Sequence, residues 1–260
     1  MSDWLQQARR AANAPPIAAR TAVLIAGRAA GGDRAVGSVE PGLAERLAGA
    51  GLPVERTVAG LRITGATDDS LQAIAHWLHA AGVCATWRGE RLDVVDAQGK
   101  VVGAVERGAA RALGITTFAV HLVGWRADGR VWVQQRAFDK ATDPGAWDTL
   151  VGGLVAAGES IAMTLARESI EEAGLALDVL HDLRGAGRIT VHRPVAEGYM
   201  VEHIEVFRAV VPEGIEPVNR DGEVERFDCL DRAALVERLR ASEFTLEASL
   251  ILGGEIERGD

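Results

Sequence analysis

Three glutamates, Glu168, Glu171 and Glu172, stand at positions i, i+3 and i+4. In a helix that spacing puts all three on one face. Like charges so placed repel, so the helix gains nothing from the arrangement by itself. A divalent cation would remove the repulsion. Carboxylate oxygens are the ligands Mg²⁺ takes, usually together with substrate phosphates and water. The chemistry this suggests is metal-assisted displacement at phosphorus, in which a cation polarises the phosphoryl group and lowers the pKa of a bound water.

The residues around the glutamates fall in a fixed pattern. Gly153 is followed after five residues by Glu159, then after seven by Arg167-Glu168, then by Glu171-Glu172, Gly174 and Leu175. This run resembles the box of the Nudix family, with Ser169 standing where an aliphatic or small residue is usual. The resemblance implies Glu168 and Glu172 as the firmest metal ligands. It implies Glu171 as a ligand or the base, Gly153 as a ligand through its carbonyl, and Mg²⁺, with Mn²⁺ as a substitute, as the cofactor. Arg167 is expected to pair with Glu159 and fix the loop on the helix, since a helix positions such a pair well. Glu159, Arg167 and Gly174 are thus structural members of the motif. Gly152 and Gly153 are expected to let the backbone turn tightly before the helix.

Flanking runs extend the resemblance over about residues 35–252. They include Val36-Gly-Ser-Val39, Trp87-Arg88-Gly-Glu90, Glu106-Arg107 through Ile115, Trp132 through Asp148, and Asp221-Gly222-Glu223-Val-Glu225-Arg-Phe227. Together these resemble the Nudix region near the N-terminus of fungal thiamine pyrophosphokinases, where a domain of unknown function precedes the Nudix domain. That likeness implies hydrolysis of thiamine diphosphate and of its damaged oxo and oxy analogues to the monophosphate and phosphate, a housecleaning role. The alternative is pyrophosphatase action on a nucleoside diphosphate derivative: ADP-ribose, a dinucleotide or a nucleotide. A binding module with a dead site is disfavoured because Glu159 and all three helix glutamates are kept. Isomerase chemistry is disfavoured because the isomerases that share the fold depart from the full box.

Outside the motif, Arg136 and Lys140 precede Pro144-Gly145 and are candidate diphosphate contacts. Trp147 and Trp125 could stack on a heterocycle, although a strand tryptophan is more often core. Glu223 and Glu225 are loop candidates for the general base, and an acidic turn capping a strand explains them equally well. His121 and His203 fall in strand-like runs and read as satisfied strand histidines. The candidate catalytic set is therefore Glu168, Glu171, Glu172 and Glu223, with Arg136, Lys140 and Trp147 on the substrate.

These residues need elements to hold them. The chain has 260 residues, 48% hydrophobic and 25% charged, enough for one large or two ordinary domains with adequate cores. The pattern predicts an α/β chain: a small α+β domain over 1–114, then an α/β/α sandwich with a mixed sheet over 115–260. Predicted helices begin at Pro41, at a Thr67 or Asp68 cap, at Val105 and at Asp231, with others at the N-terminus and over 244–252. Predicted strands include 54–64 as a pair, 87–95, 117–125 returning through Asp128-Gly129 over 131–136, 149–152, 188–193, 201–211 and 227–230. A turn is expected at Gly31-Gly32-Asp33. Net charge is −9 with no basic stripe, which argues against a nucleic-acid polymer as partner but not against a small phosphorylated substrate. Cys84 and Cys229 show no metal-ligand spacing and are expected as buried free thiols in a reducing compartment. The first residues lack the apolar core of a signal peptide and no run spans a membrane, so the expected location is the cytoplasm. The half before residue 115 could cover the site, set specificity or form a homodimer interface.

Overall fold

The computed structural model describes residues 3–27, 32–84 and 86–259. Gly31 of the expected turn lies outside them.

A four-stranded sheet and a hairpin make up the first part. Strands β1 (Thr21–Ile25), β2 (Arg34–Val39), β3 (Val54–Arg56) and β4 (Leu61–Ile63) order as β2-β1-β4-β3, with β1 and β4 parallel. Helices α2 (Pro41–Ala48) and α3 (Thr67–Ala80) bury Ala44, Leu47, Leu71, Ile74 and Leu78 in one core with Val23, Val39 and Ile63. The hairpin of β5 (Arg91–Val95) and β6 (Val101–Glu106) joins the same core through Leu92, Val94 and Val105. Neither Thr67 nor Asp68 caps α3. Its N-cap is Ala66, and the Asp68 carboxylate instead accepts from the Ala104 amide at 2.8 Å, tying the helix to β6. Trp87 to Glu90 is not strand. Val105 and Glu106 end β6, so the expected helix is only the short α4 (Arg107–Ala110).

From Thr116 onward one seven-stranded sheet carries the chain. Strands β7 (Thr116–Trp125), β8 (Val131–Arg136), β11 (His181–Val195), β12 (Gly198–Val210) and β13 (Val224–Leu230) order as β11-β12-β7-β8-β13. The short β9 (Trp147–Asp148) and β10 (Val151–Leu154) add to β8 and β7. β12 runs parallel to β7 and the other pairings are antiparallel, so the sheet is mixed. Strand alternation sends Ala119 and Val123 of β7 to one face and Val120 and Leu122 to the other. The first face is covered by α6 (Arg232–Arg240) and α7 (Leu246–Arg258) through Leu235, Leu239, Ile251 and Leu252. The second is covered by α5 (Ile161–Ala173) through Leu165 and Ala173. Helices thus sandwich the sheet. The first helix, α1 (Asp3–Ala11), lies on α7: Arg9 bonds Glu257 at 2.6 Å, and Leu5 fills the space beside Gly253.

The two parts are sewn together by backbone hydrogen bonds. The Ala157 amide donates to the Arg91 carbonyl at 2.8 Å, and the Tyr199 amide donates to the Arg111 carbonyl at 3.0 Å.

Candidate active site

Helix α5 is set by its ends. Ser160 caps it, its hydroxyl accepting from the Met163 amide at 3.2 Å, and Gly174 closes it at φ 65, the left-handed turn that glycine adopts without strain. Arg167 then staples the preceding loop to the helix. Its Nε and Nη2 each donate to Glu159 at 2.9 Å, a two-pronged pair, while Thr164 donates to the same carboxylate at 2.8 Å. Two further glutamates also accept from Arg167 Nη1: Glu168 at 2.8 Å and Glu171 at 3.0 Å.

The three glutamates differ in their surroundings. Glu172 is 2% exposed and accepts from the Gly152 amide at 2.8 Å and from Gln134 Nε2 at 3.0 Å. Glu168 faces the cleft from beside it. Glu171 is more open to solvent and, among the described residues, its carboxylate pairs with Arg167 at 3.0 Å. The helical twist explains this: i and i+4 stay inward while i+3 rotates toward Arg167. Burial pushes the Glu172 carboxyl up to about 8, and the Glu168 charge adds to it. Burial pushes Glu168 up to about 7 against the pull of Arg167.

Gly152 and Gly153 correct a second reading. Both are ordinary strand residues of β10, not turn residues. They are glycine because side chains occupy the space a Cβ would need. At Gly153 a Cβ would stand 2.1 Å from the Glu168 carboxylate, and at Gly152 it would stand 2.9 Å from the His121 ring.

A cleft opens beside this wall. His121, 7% exposed, lies at its base with Nδ1 2.8 Å from the Thr149 hydroxyl. Arg136 lines it and donates to the Thr142 carbonyl at 3.0 Å and to Asp148 at 3.5 Å. Lys140 lines it in contact with Glu223. Burial pushes the Glu223 carboxyl up, but Lys140 and the nearby arginines outweigh this and hold it below its ordinary value. Glu225 does not reach the cleft. Neither does Trp147. It is 4% exposed in the core under α6 and α7, with Arg238 over its ring at 4.5 Å, so its assignment to substrate is corrected. Cys84 is buried and Cys229 only partly so. His203 bonds Thr190 at 2.9 Å within the sheet.

Sequence reasoning missed Arg88, Arg111, Arg193, Glu202 and Glu247, all of which line the cleft. Glu202 is buried, accepts from the Thr117 hydroxyl at 2.9 Å, and is pushed up to about 7 by burial, with the Glu247 charge adding. The alternation of β12 could have flagged it, since Glu202 shares the inward face with Met200 and Ile204.

Among the described residues no three His, Cys, Asp or Glu side chains group as a cation cage. The buried Glu172 carboxylate beside the partly buried, cleft-lining Glu168 nevertheless suits Mg²⁺, which is commonly held by one or two carboxylates with substrate phosphates completing its shell. No helix among the described residues is long and apolar enough to cross a membrane.

The NUDIX domain profile matches residues 116–249. A Saccharomyces cerevisiae protein, YJR142W, is 30% identical over 184 residues, covering 64% of this chain and 53% of that one. Nudix hydrolase 20, chloroplastic, of Arabidopsis thaliana is 29% identical over 143 residues, 54% of this chain and 38% of that one. An isopentenyl-diphosphate Delta-isomerase of Leifsonia xyli is 33% identical over 137 residues, 52% of this chain and 71% of that one. The chain thus spans about half or less of the first two relatives. With the profile covering more than half of its residues, and the seam of α5, Gly153 and Arg167 built as described, this chain belongs to the Nudix family.

Proposed function

We propose that the protein is a Mg²⁺-dependent diphosphatase that hydrolyses thiamine diphosphate and its oxo and oxy analogues to the monophosphate and phosphate. The observation that carries the hydrolytic part is the cleft itself: it is lined by Glu168, Gly152 and Gly153, with buried Glu172 bonded behind Gly152, and by Arg136 and Lys140. Nudix hydrolases generally use divalent metal cations. Glu168 and Glu172, with the Gly153 carbonyl, would hold the cation, which supplies phosphoryl polarisation and a lowered water pKa when bound.

The chain's own groups do the rest. Arg136 and Lys140 offset the charge of the diphosphate. Glu223, ionised at neutral pH beside Lys140, accepts the proton of the attacking water. Arg167 holds Glu168 in place and also pairs with Glu171. Water adds to one phosphorus, the bridging P–O bond breaks, and the leaving phosphate takes the electron pair. The flanking runs support the thiamine moiety. A relative named for isopentenyl diphosphate supports a diphosphate ester as the shared chemistry.

The test is phosphate release with Mg²⁺ from oxythiamine diphosphate, thiamine diphosphate, ADP-ribose and a dinucleotide. Preferred release from the thiamine compounds is expected. Turnover of ADP-ribose or the dinucleotide with none of the thiamine compounds would overturn the substrate and leave a nucleoside diphosphate derivative in its place.

A further inference from the structure

The cations of the cleft fall into two kinds. Arg136 is taken up by the Thr142 carbonyl and Asp148, Lys140 by Glu223, and Arg107 by Glu90 at 2.6 Å. Arg88, Arg111 and Arg193 differ. Among the described residues, nothing accepts a hydrogen bond from their guanidinium groups, yet all three line the same cleft, Arg111 and Arg193 partly buried and Arg88 exposed at its edge. Arg193 Nε is fully buried without a partner. Arg111 and Arg193 sense the carboxylates of buried Glu202 and partly buried Glu247 through charge. An unmet buried donor costs about 1–3 kcal/mol, and a guanidinium offers a fork of donors matched to phosphate.

Two of the three come from before residue 116, and their backbones are fixed. The Arg111 carbonyl accepts from Tyr199 at 3.0 Å and lies 2.5 Å from where a Cβ on Gly198 would stand. The Arg88 amide donates to buried Glu106 at 2.7 Å. Beyond them the cleft runs on between the two parts, past Thr86, Leu92 and Thr117.

We propose that Arg88, Arg111 and Arg193 bind the second phosphate of an organic diphosphate whose first phosphate meets Glu168 beside the Gly152-Gly153 strand. The segment before residue 116 therefore supplies part of the substrate site. This rests on the diphosphatase reading. Separation of roles follows: the α5 wall acts on the attacked phosphorus, and the three arginines hold the substrate. They are positioned to bind ground state and transition state alike, so their loss raises KM more than it lowers kcat.

The experiment uses the full chain and non-hydrolysable imidodiphosphate with Mg²⁺, titrated calorimetrically, alongside Mn²⁺ binding read by electron paramagnetic resonance. R111Q and the R88Q/R111Q pair are expected to weaken imidodiphosphate by about tenfold or more, the loss of a charge-assisted contact. Mn²⁺ affinity stays unchanged, KM rises while kcat holds, and R111K recovers part of the binding. R193Q, on a different element, repeats the effect should R111Q unfold. Unchanged imidodiphosphate affinity in folded R88Q/R111Q and R193Q overturns the proposal, as does a wild type that fails to bind imidodiphosphate. A wild type that binds both probes but hydrolyses no diphosphate removes the functional reading and leaves this one standing.

Discussion

Glu172 and Glu168 are two acids that the fold buries side by side, and their titration follows from that. In the unfolded chain both ionise near 4.5; in the folded, metal-free protein they rise to about 8 and about 7. Between those values the native state holds protons that the unfolded state has lost. Stability therefore falls as pH rises from about 5 to 8, with buried Glu202, also raised to about 7, adding in the same direction. Thermal unfolding in EDTA should show a lower Tm at pH 8 than at pH 6, and Mg²⁺ should recover more at pH 8, where the carboxylates ionise to receive it. A flat metal-free profile would contradict the assignment. E172Q should abolish this slope locally and keep the fold, because glutamine can still accept from Gly152 and pair with Gln134. Glu168 and Glu172 were legible from spacing and the family pattern. Glu202 and Arg193 were not, because a single charged residue in an alternating strand carries no signal of which face opens onto a cleft.

At the scale of the element, β10 and α5 form one unit. Gly153→Ala places a methyl within 2.1 Å of the Glu168 carboxylate. It should lower turnover by about two orders of magnitude, the cost typical of losing one well-placed electrostatic contact. Tm should change far less, measured by calorimetry on the same sample. Ser169 is fully buried in the middle of α5 and its hydroxyl has no partner among the described residues. Ser169→Ala should therefore raise Tm by about 2 °C, since an unsatisfied buried hydroxyl costs about 1 kcal/mol or more. A fall in Tm would show that the hydroxyl is satisfied. The helix itself was readable from the glutamate spacing, while its caps, Ser160 and Gly174, emerge from the structure. The glycine pair was misread as a turn. Close approach of a side chain from α5 or β7 is a long-range fact, and a local sequence cannot distinguish it from a backbone requirement. The missing cap on α3 has the same cause, since Asp68 is claimed by β6, thirty-six residues away. Trp147 was ambiguous by type, and the packing of α6 and α7 decided it for the core.

For the molecule as a whole, the mixed sheet over Thr116–Leu230 and its flanking helices were largely visible in the apolar alternation and turn residues. The cleft between that sheet and the earlier hairpin was not, because it depends on contacts such as Tyr199 to Arg111 and Ala157 to Arg91. Binding of Mg²⁺ with imidodiphosphate should slow amide hydrogen exchange in residues 105–113 as well as in α5; protection of α5 alone would place the ligand away from the earlier half. The central claim is hydrolysis of a diphosphate on the Glu168 and Glu172 wall. Its most direct test is Mg²⁺-dependent phosphate release from oxythiamine diphosphate by wild type, Glu168→Gln and Glu172→Gln, each verified as folded by circular dichroism. The account predicts release by the wild type that stops on adding EDTA and falls by about two orders of magnitude or more in both variants. Near-normal release by either variant would contradict it.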